Sequence, residues 1–118
     1  MQVIRVTEKK RARSDNPAFV GPVLTQDVVS DEMAALLRVT EVTFPAGARN
    51  KWHAHAADQV LIVTEGRGII ATEAEEHIIT PGDVVLIPAN EKHWHGATAD
   101  TAMTHYAILT PGPMTVLE

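Results

Sequence analysis

The stretch His53-Ala54-His55-Ala56-Ala57-Asp58-Gln59-Val60-Leu61-Ile62-Val63-Thr64-Glu65-Gly66 carries the two patterns from which the fold is read. In a strand, side chains at i and i+2 lie on one face, so His53 and His55 project together with Ala54 opposite. Val60–Thr64 is a short, largely β-branched apolar run closed by Glu65-Gly66, which suits a strand bounded by a turn. Working outward, the same punctuation recurs. Leu36–Phe44 reads as a strand that alternates from Leu37 onward and is stopped by Pro45-Ala46-Gly47. Downstream come Gly68–Thr72, an acidic hairpin tip at Glu73-Ala74-Glu75-Glu76, and His77–Thr80 before Pro81-Gly82. Asp83–Ile87 follows, then Pro88-Ala89-Asn90, and finally Ala102–Leu109 before Pro111-Gly112-Pro113. Short strands with turn signals every roughly 8–12 residues predict an all-β barrel or sandwich. Only residues 30–37 have helical character, one or two turns with Ser30 as N-cap.

A chain of 118 residues supports one domain with one core, and no composition shift divides it. The absence of cysteine excludes disulfides, thiolate catalysis and cysteine-ligated zinc or iron–sulfur sites. Ten Lys+Arg against fifteen Asp+Glu give a net charge of −5, which argues against nucleic-acid binding. Within that balance, residues 1–13 hold Arg5, Lys9, Lys10, Arg11 and Arg13 against Glu8 alone. That basic segment reads as a mobile, solvated arm or as an element swapped onto a neighbouring copy. No apolar run reaches the roughly 20 residues of a membrane span, and no signal peptide is visible, so the expected location is cytoplasmic. Edge strands on a barrel of this size favour pairing between copies, and a homodimer is expected.

All six histidines fall between His53 and His105. His93-Trp94-His95 repeats the same-face alternation on a second strand, and Gln59 adds an amide oxygen four residues after His55. Two same-face pairs from separate strands, in a chain without cysteine, point to a divalent ion held by imidazole and oxygen. Mn, Zn, Fe, Co, Ni and Cu all accept such a set. His105 shares a face with Met103, Ala107 and Leu109, an otherwise apolar set, while His77 follows the acidic tip and reads as solvated.

Gly47, five residues, His53-Ala54-His55, three residues, Gln59, six residues, Gly66 resembles the first motif of the cupins, over residues 47–66. Gly82, five residues, Pro88-Ala89-Asn90, two residues, His93 resembles the second, over residues 82–97. The resemblance implies that residues 1–118 form a single-domain cupin, an antiparallel jelly-roll-like β-barrel with one metal inside its mouth. By carry-over His53, His55, Gln59 and His93 are the ligands. Three departures stand out: Gln59 occupies a slot usually held by Glu, Asn90 one usually held by Gly, and Ala97 one usually held by Asn.

Gln59 changes the chemistry, because three imidazoles and an amide leave a divalent ion's charge uncompensated. Such a centre is a stronger Lewis acid and favours an anionic substrate or intermediate. Gly47-Ala48-Arg49, Trp52–His55, Glu91–Ala97 and Ala102–His105 further resemble the small cupins associated with carboxymuconolactone decarboxylases. They are also similar to the manganese-dependent cupin hydroxynitrile lyases. That similarity implies metal-assisted lyase, isomerase or decarboxylase chemistry on a small oxygen-bearing substrate, with His105 moving a proton and His95 supporting it. Asn50, Lys51 and Leu109 depart from the lyase pattern. Lys51 would share the face of His53 if that strand began early enough, and otherwise lies exposed at the rim. A metal-dependent dioxygenase and a non-catalytic ligand-binding cupin are the competing functions.

Overall fold

Thirteen short strands and one 3₁₀ turn, Val6–Glu8, make up the computed structural model, which describes residues 1–118. The strands are β1 (Ala12–Arg13), β2 (Phe19–Val20), β3 (Leu24–Val29), β4 (Arg38–Phe44), β5 (Arg49–Asn50), β6 (His53–His55) and β7 (Gln59–Gly66). They continue with β8 (Gly68–Thr72), β9 (Glu76–Ile79), β10 (Val84–Ile87), β11 (His93–Ala97), β12 (Met103–Leu109) and β13 (Met114–Val116). One sheet has the order β1-β3-β4-β12-β7-β10. The other runs β13-β6-β11-β5-β2, with β8 paired to β11 and β9 to β8. All pairings are antiparallel, and the two sheets close face to face as a jelly-roll-like barrel.

Alternation along β4, β12 and β7 builds the interior in rows. Phe44, Met103 and Gly66 stand across from one another, then Val42, His105 and Val63, then Thr40, Ala107 and Leu61, then Arg38, Leu109 and Gln59. The first row is apolar and sealed: Phe44 and Met103 are fully buried, and Phe19 packs edge-on against Phe44 at 5.9 Å. The last row is polar and borders a cavity, so the barrel is closed at one end and open at the other. A side chain at Gly66 would collide with the Ala102 carbonyl, and its φ of 76° lies in the left-handed region, so the turn after β7 requires glycine.

The N-terminal segment lies on its own barrel. Residues Ala12 and Arg13 pair with Thr25 and Leu24, and Arg11 Nε donates to Glu41 Oε1 at 2.7 Å. Gln26 Nε2 donates to the same oxygen at 2.8 Å, so this buried carboxylate is doubly held. Strands β1 to β3 lack the regular punctuation that marked the chain after residue 36, and β3 went unread in the sequence. Of the one or two helical turns expected over 30–37, the structure keeps one hydrogen-bonded turn and corrects the strand start expected at Leu36. A single turn forms, with Met33 and Ala34 N–H groups donating to the Ser30 carbonyl at 3.0 and 3.3 Å. Leu36 and Leu37 are exposed and β4 starts only at Arg38, because this loop has no apolar face to bury against the barrel.

Candidate metal centre

His53 and His55 share the inward face of β6, and His93 stands directly across from His53 on β11. Ring centroids lie 4.3 Å apart for His53–His93, 5.0 Å for His53–His55 and 5.9 Å for His55–His93. One nitrogen of each ring lies within 4.8 Å of the other two. Backbone carbonyls orient two of the rings. His53 Nδ1–H donates to the Lys51 carbonyl at 2.6 Å and His93 Nδ1–H to the Glu91 carbonyl at 2.8 Å. Each Nε2 is thereby left as a lone pair, the tautomer a metal ligand requires.

These residues fit a metal on an observation independent of any motif. His93 Nε2, His55 Nδ1 and Gln59 Oε1 are buried with no hydrogen-bond partner. An unpartnered buried polar atom costs about 1–3 kcal/mol, so three around one histidine group call for a common occupant. Gln59 comes from β7 in the facing sheet and lines the same cavity of about 870 Å³ as His53 and His55. Burial keeps the imidazoles neutral, as ligands must be. It lowers the His53 pKa against the Lys51 carbonyl, and takes His93 to about 4 against the Glu91 carbonyl. His55 is lowered to about 4 by burial, then by the neighbouring histidines and by the positive charge of Arg38.

Asn90, where cupins usually have glycine, adopts φ 68°, a left-handed conformation that asparagine tolerates. Its N–H donates to the His55 carbonyl at 2.7 Å, which ties the second motif to the first. The C-terminal strand adds a strap. β13 pairs along β6, and Arg49 grips Glu118 through two hydrogen bonds of 3.0 and 2.9 Å.

His95 lies on the inward face of β11 with His93, yet outside the ligand group. Asn50 Oδ1 accepts the His95 backbone N–H at 2.9 Å, which fixes the orientation of the amide. Its Nδ2 therefore faces the ring, closest to Nε2 at 3.0 Å. An NH₂ group only donates, so His95 Nε2 is the acceptor and the ring proton sits on Nδ1. Nδ1 in turn meets His105 Nε2 at 3.1 Å, which makes the latter an acceptor and puts the His105 proton on Nδ1. Both rings are fully enclosed: burial holds His105 at about 4, against a backbone contact at Tyr106, and His95 well below its usual value. Nothing in the motif pattern singled out Asn50 as the residue that sets this pair. Its position on a strand opposite His95 was the missing signal.

The remaining sequence candidates separate cleanly. His77 is exposed and pairs with Glu75 at 3.1 Å. Lys51 precedes β6 and does not line the cavity, and its carbonyl is what contacts His53. Leu109 lines the cavity between Arg38 and Gln59.

A small barrel with three convergent imidazoles defines a β-barrel protein whose site could hold a metal ion. The chain belongs to the cupin family, whose cupin domain (Cupin_2) matches residues 40–109. It is 42% identical over 111 residues to the (R)-mandelonitrile lyase of Granulicella tundricola, covering 92% of this chain and 83% of that one. A cupin-like protein from Thermotoga maritima is 37% identical with a TM-score of 0.86, over 93% of this chain and 87% of that one. The polyketide cyclase RemF of Streptomyces resistomycificus shares the fold at 15% identity, with a TM-score of 0.88 over 100% of this chain and 86% of that one. No helix is long and apolar enough to cross a membrane.

Proposed function

We propose that this cupin is a metal-dependent lyase that cleaves small 2-hydroxy compounds next to the hydroxyl-bearing carbon, with cyanohydrins as the reference substrates. The observation that carries the reading is the join between two devices. His53, His55 and Gln59, with His93 grouped against the two histidines and no carboxylate in the set, share one cavity with the hydrogen-bonded pair His95–His105. Likeness to a mandelonitrile lyase supports the same reaction class. A divalent ion held by the four residues supplies Lewis acidity that acidifies the substrate hydroxyl.

The chain's own groups do the rest. His105, neutral because it is buried, is the base that takes up the hydroxyl proton as the carbon–carbon bond breaks, its Nε2 lone pair becoming free when the His95 Nδ1–H contact opens toward the substrate. The carbonyl forms, and the bonding pair leaves with cyanide. The imidazolium then returns the proton to cyanide, giving an aldehyde and hydrogen cyanide. Before transfer, His95 holds the neutral His105 ring in place through its Nδ1–H, and Asn50 fixes the His95 tautomer. The apolar rows behind the site, Val42, Leu61 and Val63, exclude water from the reacting carbon.

The test is cyanide and aldehyde release from racemic mandelonitrile by the protein as purified. Expected is turnover that needs no oxygen, stops on chelation and vanishes in His105→Ala while metal content holds. Oxygen consumption tied to product would favour a dioxygenase instead. Tight ligand binding without any product would favour a binding module.

A further inference from the structure

We infer that the natural substrate carries a carboxylate, which Arg38 holds at the cavity mouth while the substrate's hydroxyl reaches the three-histidine group. The inference deepens the lyase reading and rests on it for the hydroxyl end alone.

Arg38 opens β4 on its inward face, level with Leu109 and, one strand further, Gln59. Two strand spacings separate the Arg38 and Gln59 backbones, about 10 Å. A long arginine side chain and an amide thus reach toward each other over one leucine. Five charged residues line the cavity. Lys9, Asp27, Asp31 and Glu32 are exposed, and Arg38 alone is half-buried. Its one charged neighbour, Asp31, lies at 3.8 Å, beyond hydrogen-bonding distance, and is itself 58% exposed. The planar fork of the guanidinium is therefore unfilled, and that fork matches a carboxylate in two parallel hydrogen bonds.

Electrostatics point the same way. A divalent ion on His53, His55, His93 and Gln59 meets no negative ligand, and a guanidinium borders the same cavity. Two positive centres facing one space favour an anion between them, the carboxylates of Asp27, Asp31 and Glu32 being exposed and so screened by solvent. A short hydroxy acid whose carboxylate is a handle and not the expelled group offers that carboxylate to Arg38 and its hydroxyl to the histidine end, and mandelate presents both handles without being cleaved. The neutral cyanohydrin lacks the first of these handles. Leu109, between Arg38 and Gln59, gives the substrate's carbon frame an apolar floor. Lys51, the cation near the histidine motif in sequence, does not line this cavity.

The experiment is calorimetric titration of the metal-loaded protein with mandelate and with its neutral isostere mandelamide, with metal content measured alongside. Expected is mandelate at least about tenfold tighter than mandelamide, a preference of the size charged hydrogen bonds provide. Arg38→Gln should cut that preference severalfold, the metal alone supplying what remains, and leave mandelamide affinity and metal content unchanged, and Arg38→Lys should keep more of it. Asp31→Asn, which removes the competing carboxylate, should tighten mandelate. Undiminished mandelate preference in Arg38→Gln, with metal retained, overturns the inference, as does equal binding of acid and amide by the wild type. These arms read binding, so they stand apart from mandelonitrile turnover. Arg38-dependent binding without turnover would retain the carboxylate site and remove the lyase reading. Turnover without acid preference would do the reverse.

Discussion

His95 and His105, carried by opposite sheets, meet through Nδ1 and Nε2 at 3.1 Å deep in the barrel. Neither ring touches solvent, and the tautomer of each follows from one amide, Asn50. Replacing Asn50 by Asp converts the donor Nδ2 into an acceptor, which requires His95 to carry its proton on Nε2 and reverses the contact with His105. Nitrogen-15 spectra of the zinc-loaded protein should report that exchange of tautomers, with turnover down about 10²-fold or more. An unchanged tautomer would dismiss Asn50 as its determinant.

His105→Ala removes the proton acceptor without touching the histidine group on β6 and β11. Turnover of mandelonitrile should fall by about 10²–10⁴-fold, with metal content intact. His105 is fully buried, so its loss also opens a cavity, and a lowered melting temperature is expected alongside. Full activity in a folded, metal-loaded variant would remove its assigned role.

Gln59→Glu keeps shape and adds the negative charge that the site lacks. Metal affinity, measured by competition with a chelator, should rise on the order of tenfold, while turnover falls because the Lewis acid is partly neutralised. Weaker metal binding in this variant would mean that Gln59 lies outside the metal's reach.

The histidines also set a pH window for the metal-free protein. Burial holds His55, His93 and His105 at about 4 in the folded chain, against 6.5 for free imidazole. Between those values the unfolded chain binds more protons than the folded one, so stability falls as pH drops through the window. Chelated protein should unfold at lower urea near pH 5 than near pH 7, by on the order of 1–2 kcal/mol or more. Bound metal should shrink the difference, since it holds imidazoles deprotonated. A midpoint independent of pH would contradict the burial assigned to these rings.

The outer face of the six-stranded sheet bears on assembly. Val39, Ile108, Val60 and Leu86 form one apolar row across four strands, with Leu86 67% exposed at the edge strand β10. We propose that a second copy covers this row, in line with the homodimer expected from edge strands. Light scattering should give twice the chain mass for the wild type and the monomer mass for Leu86→Asp. A monomeric wild type would reject the pairing.

Legibility in the sequence followed periodicity. The β10 and β12 runs, with punctuation on both sides, were readable to within a residue or two. So were the histidine pairs, because period-two alternation dictates their common face. Residues 30–37 misled: a capping serine and alanines carry helical propensity, but Leu36 and Leu37 had nothing to pack on. β1, β2 and β13 were obscured because two- and three-residue strands leave almost no periodic signal, and the six-residue β3 buries a polar Gln26 where alternation calls for an apolar residue. The Asn50–His95–His105 chain joins residues from three strands and depends on register, which pattern alone does not fix. Arg38 was read only as a member of a strand. Its place at the mouth follows from its alignment with Leu109 and Gln59.

The central claim is that His53, His55, His93 and Gln59 hold one divalent ion per chain, and elemental analysis of the protein as purified tests it most directly. The wild type should carry close to one equivalent of a divalent transition metal, and His93→Ala, still folded by circular dichroism, should carry about a tenth of that or less. Substoichiometric metal in the wild type after incubation with each of Mn, Fe, Co, Ni, Cu and Zn, or full metal in His93→Ala, would contradict the account.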